Sequence, residues 1–572
     1  MERRVFIAVL LSFAVLYSYQ ALFVPPTPPP AAPTTGTAPA STATGTGSAK
    51  APTQQSSTQA AAPVAPADPV PDVGAEMVIG EAAAREIVVD TKDARIVLTN
   101  RGASVVHWEL KGYTNAQGAM VDLVPSGLPS DQLTPFTLRV DDERVSKRMQ
   151  AAIYRVSGDQ GGHVDASSQP QDLVFEYQDA GGLSVRKTFR FEPALHRVRF
   201  TVAARQGDET LNPAVVWGPG LGDLGATSGG GSFFTGNYVQ PPQAIYHREG
   251  KVERHTPDAV ATQPTYDGSF RFVGIDDHYF IATAVDAGQA RATYSSLTLP
   301  GPNGTQRRLL GFELAFAKSP ENVLFYIGPK QFDELRVVDA ELVRAINFGM
   351  FAWLVIPLLS TLKWLVGFLG NYGWSIIALT VGLNLAMFPL RHKAAVAMRK
   401  MQQVQPLMKA IQDRYAHLKM TDPGRQKMNE EISALYKEKG VNPASGCVPT
   451  LLTMPVLLAF YSLLSQSIEL RGAPFVGWIQ DLSAADPYYV LPILMGGTML
   501  WQQWVTPASV DPAQQKVMMV MPIMFTAMML FSPSGVVLYW FVSQGWAIGQ
   551  QYFTNWMIGP AARPGAPALS RK

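Results

Sequence analysis

Six amides and hydroxyls stand inside long apolar runs: Asn384, Thr453, Gln502, Gln503, Ser543 and Gln544. Such groups hold water and exchange hydrogen bonds in surroundings that otherwise offer none. Each could simply bond a neighbouring helix, for roughly 1 kcal/mol; together they could wet a cavity. Other chemistry is sparse. Asp276-Asp277-His278 combines acid, base and ligand types, but three adjacent residues on a strand point to alternating faces, which favours a structural or solvated role. Gly220-Leu-Gly222-Asp-Leu-Gly225 matches a dinucleotide loop, yet it runs into Ser228-Gly-Gly-Gly-Ser232 rather than a helix and reads as a surface loop. There is no P-loop ending in Lys-Ser or Lys-Thr, no HExxH and no GxSxG, and no carboxylate interrupts an apolar run. ATP hydrolysis and catalysis within a bilayer are therefore not expected. The single cysteine, Cys447, excludes an intramolecular disulfide and a thiolate metal cluster, and reads as a packing residue. No catalytic residue, metal or cofactor is expected.

The elements that must position the six polar residues are of membrane-spanning kind. A bilayer core about 30 Å thick needs about 20 apolar residues in helical form, because lipid offers the backbone no partners. Val5 to Val24 is uncharged and follows Arg3 and Arg4, so residues 1–24 read as an uncleaved anchor with its amino end in the cytoplasm. Residues 25–80, built from Pro, Ala, Thr, Gly and Ser, form a tether that cannot bury enough surface to fold. Residues 81–340 change to short alternating segments, among them Arg95 to Leu98, Ser104 to Leu110, Leu173 to Tyr177, Arg186 to Phe191 and Val198 to Ala203. These predict a large antiparallel β-sandwich outside the cytoplasm.

Parity decides the rest. Between Arg391 and Lys439 eleven Lys and Arg stand against five acids, which places residues 391–443 in the cytoplasm. With the sandwich outside, an odd number of crossings must separate the two. Residues 371–390 carry no charge and are the better span. Ala345 to Leu362, flanked by Arg344 and Lys363 and interrupted by Pro357, is expected to lie along the outer interface as an amphipathic helix within residues 341–370. Spans at 444–468, 487–505, 516–532 and 535–556 follow, with Pro533-Ser-Gly535 as an outer turn and residues 557–572 as a cytoplasmic tail. The prediction is a multi-domain membrane protein with six transmembrane helices and both termini inside. Its net charge of +2 carries no message about nucleic acid, since the bases cluster beside apolar runs, and sequence-specific nucleic-acid binding is not expected.

Oriented this way, most of the six polar residues fall in the cytoplasmic half, while Leu457, Leu458, Phe460, Tyr461 and Met528 to Phe531 make the outer half apolar. The basic insert reads as a helical hairpin, Ala394 to Leu418 and Gln426 to Lys439. Its apolar stripes are Met401, Val404, Met408, Ile411 and Tyr415 on one arm and Met428, Ile432 and Leu435 on the other. The stripes can pack on each other, leaving either a self-contained solvated hairpin or a docking surface through Arg399, Lys400, Lys409 and Arg414.

Several motifs now fall into one order: Asn371-Tyr-Gly-Trp-Ser-Ile-Ile377, Met387-Phe-Pro-Leu390, Leu435-Tyr-Lys437 with Val441-Asn-Pro443, and Gly446-Cys-Val-Pro449. Met454-Pro455, Ile468-Glu-Leu-Arg471, Asp486-Pro-Tyr-Tyr489 with Leu491-Pro-Ile-Leu-Met-Gly496, and Phe531-Ser-Pro-Ser-Gly535 follow. Over residues 371–553 the chain closely resembles the YidC/Oxa/Alb family of membrane insertases. The order of anchor, tether, β-domain and five-span core is that of its Gram-negative form. The resemblance implies an inner-membrane location, a periplasmic β-supersandwich, and insertion of nascent membrane proteins alone or with the Sec translocon. It also implies a hydrated inner-leaflet groove, with the ribosome or signal recognition machinery and membrane lipids as further partners. Val456, Leu457, Tyr461, Tyr539 and Trp540 are then expected to form the slide along which a substrate helix leaves.

One departure matters. The resemblance implies a basic residue at position 384, where this chain has Asn384; Arg391, two turns on, is expected near the membrane surface. The groove is thus expected to work by hydration, with its fixed positive charge at the rim. Two other readings stay open on the residues: a small-solute transporter or channel, and a membrane-tethered protein whose sandwich binds or modifies carbohydrate.

Overall fold

The structure, a computed structural model, describes residues 76–115, 118–129, 132–221, 240–300, 306–416, 424–441, 448–505 and 512–558. The anchor, most of the tether, Cys447 and the part of the glycine-rich motif from Gly222 onward lie outside the described residues, as does the carboxy-terminal tail.

Strands form where the alternation predicts them. In Leu183–Phe191 the side chains of Leu183, Val185, Lys187, Phe189 and Phe191 turn inward while Ser184, Arg186 and Arg190 face out. This strand pairs antiparallel with Gln171–Asp179 on one side and Arg197–Gln206 on the other. The architecture departs from a closed antiparallel sandwich: among the described residues fourteen strands join one branched sheet, and five form a second, smaller sheet. Branching has a local cause. The 21-residue strand Phe280–Pro300 pairs through its first residues with Val323–Pro329 and through its later ones with Gln306–Phe316, so one strand serves two neighbours on the same side. In the smaller sheet Glu86–Asp90 pairs parallel with His163–Asp165. The tether also ends earlier than expected, because Met77–Ile79 pairs with Gln178 and Asp179 as an edge strand.

Inside, Phe136 contacts Phe189, Phe200 and Phe325 with ring centroids 5.0 to 5.3 Å apart. Among these rings lies a charged residue. Lys187 is fully buried, and its Nζ donates to the carbonyls of Gly102 at 2.7 Å, Ala103 at 2.9 Å and Phe136 at 2.9 Å. All three acceptors have positive φ, 68°, 49° and 65°, so their carbonyls are turned out of regular strand pairing. One ammonium supplies the three donors they require.

Two short helices flank the sheets, α1 (Glu143–Ala151), N-capped by Asp142, and α2 (Pro257–Thr262), N-capped by Thr256. Next comes α3 (Phe332–Val338), and then the helical core: α4 (Ala352–Leu369), α5 (Tyr372–Arg414), α6 (Gly424–Glu438), α7 (Val448–Gln466), α8 (Val490–Val505), α9 (Pro512–Met529) and α10 (Ser534–Ile558). Among the described residues only Gly349–Leu369 and Tyr372–Met401 are both long and apolar enough to cross a membrane; Met454–Gln466 and Met519–Met529 are shorter apolar helices. The α4 helix starts later than Ala345 because 3-10 turns and Gly349, at φ 69°, precede it. It ends at Gly370, whose left-handed φ suits a residue without Cβ. Asn371 then caps α5, its Oδ1 accepting from Trp374 N–H at 3.2 Å. The expected break at residue 390 is absent. α5 runs unbroken for 43 residues through Pro389 and Pro406, so the span and the first arm of the hairpin are one helix. Its far end packs on α6 as the stripes predict: Val404, Ile411 and Met428 are buried, and Tyr415 Oη donates to Glu431 at 2.7 Å.

The β-domain and the helices share a hydrophobic core. Ile245, Phe272, Ile281 and Tyr326 from the strands join Val355, Leu359 and Leu362 of α4 and Ala459, Phe460 and Leu463 of α7. Polar contacts frame it. Lys363 pairs with Asp333 at 2.5 Å and Glu469 at 3.6 Å, and buried Lys330 pairs with Asp276 at 2.9 Å. Burial raises the Glu469 carboxyl above its ordinary value of 4.5, against the opposing pull of Lys363.

Two outcomes follow from these buried charges. Lys187→Met strands three turned-out carbonyls, each costing about 1–3 kcal/mol unpaired, so the unfolding free energy falls by at least about 2 kcal/mol in denaturant titrations of the purified protein. The folded chain holds the Glu469 proton more tightly than the unfolded chain. Stability therefore declines as pH rises from 4.5 through the raised value, and Glu469→Gln removes that part of the slope.

Candidate functional site

The helical core encloses a cavity of about 130 Å³ lined by Leu383, Asn384, Met387 and Arg391 of α5, Met454, Val456 and Leu457 of α7, and Tyr539 of α10. Its polar wall is built by helix geometry. Residues 384 and 391 are seven apart, about two turns, and so lie on one face. The side chain of Arg391 runs back along that face, and its Nη1 donates to Asn384 Oδ1 at 2.6 Å. The other end of the amide is also engaged, since Nδ2 donates to the Thr380 carbonyl at 2.7 Å. Asn384 is thereby held with its oxygen toward the guanidinium. The reach of the Arg391 side chain carries its positive charge to the cavity wall beside position 384.

The opposite wall is apolar and stiff. The rings of Phe460 on α7 and Tyr539 on α10 stack at 4.2 Å, fixing the two helices face to face above the cavity. The next residue on α10, Trp540, meets Phe525 of α9 at 4.7 Å. The seam between α5 and α10 holds Phe388, 5.7 Å from Phe553, and, further along α5 past Arg391, Arg399, whose Nη2 donates to Asn555 Oδ1. Along this stretch the buried polar atoms His392 Nδ1, Trp546 Nε1 and Thr554 Oγ1 have no hydrogen-bond partner among the described residues.

Of the polar residues singled out by sequence whose side chains are described, the cavity gathers only Asn384. Gln502 and Gln503 lie half-buried on α8, and Ser543 and Gln544 half-buried on α10, none of them lining it. The side chain of Thr453 lies outside the described residues. Among the residues assigned to a slide, Val456, Leu457 and Tyr539 line the cavity, while Tyr461 and Trp540 stand outside it. The basic set divides as well: Arg399 is committed to Asn555, Arg414 pairs with Glu431 at 3.5 Å, and Lys400 and Lys409 are exposed. The contact between Arg391 and Asn384 is not visible from backbone position alone, because it depends on the length of the arginine side chain. Of the structural or solvated role expected for Asp276, Asp277 and His278, the structure shows the structural one: all three are buried at the contact between strands and α7. Among the described residues no group of three or more His, Cys, Asp and Glu could hold a metal.

Two family models match the chain. One, described as "YidC periplasmic domain", covers residues 86–361, and the other, "60Kd inner membrane protein", covers residues 364–560. A protein named membrane protein insertase YidC from Geobacter metallireducens is 33% identical over 98% of this chain and 99% of its own length. One of the same name from Citrifermentans bemidjiense is 34% identical over 97% and 99%. A solved structure described as an active YidC insertase with its first transmembrane domain resolved aligns with 83% of this chain and 94% of its own, at 16% identity and a TM-score of 0.34.

The Asn384–Arg391 bond is open to a double-mutant cycle. Asn384→Leu and Arg391→Met each lower stability in detergent. The double substitution costs less than their sum by about 1.5–3 kcal/mol, the range for a bond to a charged group. Additive losses would show that the two side chains do not cooperate.

Proposed function

The chain belongs to the YidC/Oxa/Alb family of membrane protein insertases, and from that membership we infer that it inserts and folds nascent inner-membrane proteins, alone or with the Sec translocon. It has a helical core embedded in the membrane and a large β-rich periplasmic domain. The matched relatives share the insertase name over nearly their whole length, which leaves the transporter and sugar-enzyme readings without support.

The observation that carries the mechanism is a guanidinium and an amide on one wall of a cavity whose other walls are apolar. Carrying a polar or acidic segment into hydrocarbon costs several kcal/mol per unsatisfied group. Asn384 and Arg391 lower that cost by offering hydrogen bonds and a positive charge where lipid offers neither. The unpartnered atoms of His392, Trp546 and Thr554 support a wet path from the cytoplasmic side. Burial of the substrate's own apolar helix, at about 0.8 kcal/mol per CH₂, then completes insertion without a nucleotide. Val456, Leu457 and Tyr539 present the apolar surface along which that helix leaves.

The topology completes the reading: six spans, both termini in the cytoplasm, and α4 along the outer interface. Both ends of α4 support this last point. Near its start Ser462 Oγ donates to the Phe348 carbonyl at 3.0 Å, close to the end of α7. Just past its end Asn371 Nδ2 donates to the carbonyls of Pro474 and Phe475, in the loop that follows α7. Two ends held against the close of α7 and the loop that follows it favour an interfacial course for α4. The hairpin, through exposed Lys400 and Lys409, docks the ribosome or signal recognition machinery.

Photo-crosslinkers at Asn384 and Leu457 are expected to capture a stalled nascent chain in native membranes. Adducts with lipid alone would overturn the groove.

A further inference from the structure

The segment Ile468-Glu-Leu-Arg471 plays no part in the groove, yet its four side chains diverge in a way that ties two bodies together. In the 3-10 turn Ile468–Leu470, Ile468 enters the core of the β-domain while Leu470 enters the core shared with the helices. Between them Glu469 accepts from Phe332 N–H at 3.4 Å and pairs with Lys363 of α4. The guanidinium of Arg471 lies over the rings of Tyr279 and Phe280, 5.1 and 5.0 Å from their centroids.

From the strand side, buried His278 reaches the same place. Its Nδ1 accepts from the Gln240 N–H at 3.2 Å, which leaves the proton on Nε2 to be donated to the Ser465 carbonyl at 2.9 Å. Ser465 is in the last turn of α7, where carbonyls have no partner within the helix. The imidazole thus caps α7 from the periplasmic domain.

α7 is also the helix whose opposite half lines the cavity. From Ser465 to Leu457 is eight residues, about 12 Å along the axis. Pro455 lies inside that half, where it removes a backbone donor and weakens the ladder. The rotation and height of Met454, Val456 and Leu457 therefore depend on how firmly the other end is held.

We propose that His278 and Arg471 are positioning residues: through the bracket formed with Ile468–Arg471, the periplasmic domain sets the register of α7 and so the shape of the cavity wall. This rests on the groove reading above for its link to insertion, but not for its effect on α7.

The test uses the full-length protein in proteoliposomes, with Cys447→Ser and an environment-sensitive fluorophore on Met454→Cys. His278→Ala and Arg471→Ala shift the probe's emission in the absence of substrate and slow insertion of a reporter about five- to tenfold, the loss expected for one or two hydrogen bonds. His278→Gln, whose amide still offers a donor toward Ser465, restores both to within about twofold. A probe that shifts while insertion stays unchanged supports the bracket and removes the groove from insertion. The proposal is overturned if the probe stays at its wild-type emission in both alanine variants, or if the melting temperature falls with no movement of the probe. Should His278→Ala fail to accumulate, Arg471→Lys, which keeps charge but loses the planar stack, carries the same two readouts.

Discussion

A guanidinium among apolar helices has to find an acceptor, and the bond from Arg391 to Asn384 is the constraint around which the helical core is arranged. It requires α5 to continue without a break from Asn384 past Arg391, since only an unbroken helix puts residues seven apart on one face. It requires the Asn384 amide to be oriented, which the Thr380 carbonyl does by taking its Nδ2 proton. It also requires neighbours that leave room, and the stacked pair Phe460 and Tyr539 holds α7 and α10 against each other where Tyr539 lines the cavity. Removed from this setting, neither polar group would be worth burying.

The periplasmic domain belongs to the same mechanical body. A core that passes from Phe272 and Ile281 in the strands to Leu359 in α4 and Phe460 in α7 leaves little freedom at the junction. The buried polar groups there are not a second active site. Lys330, Asp276, Glu469 and Lys363 neutralise one another across elements distant in sequence, and His278 satisfies a helix end. Buried charges used in this way hold one arrangement in preference to others, because any slippage would strand them. Lys187 performs a similar task within the strands, where it collects three carbonyls that regular pairing cannot reach.

Much of this was legible in one dimension. Period-two alternation found the strands, and the uncharged run that begins at Asn371 found the start of α5. The stripes of Met408, Ile411 and Met428 found the packing of α5 on α6. What escaped was whatever depends on pairing partners or on side-chain reach. Strand Phe280–Pro300 reads as strand throughout, but nothing in its residues tells that two different neighbours share it and branch the sheet. For Asp276-Asp277-His278 strand alternation leaves a structural and a solvated role both open, because the partners that decide it, Lys330 and Ser465, lie 54 and 187 residues away.

By itself the sequence determined which segments are apolar, where charge concentrates, that catalytic motifs are missing, and which family the chain resembles. These are properties of local composition and order, and hydrocarbon or water acts on them segment by segment. Only the tertiary structure decided that, of the five candidate polar side chains it describes, Asn384 lines the cavity, and that a cation two turns away joins it there. It likewise decided that the β-domain grips the far end of the helix forming the opposite wall. The reason is physical: a cavity is a relation between helices, and the direction and length of side chains meeting across it are set by packing rather than by position along the chain.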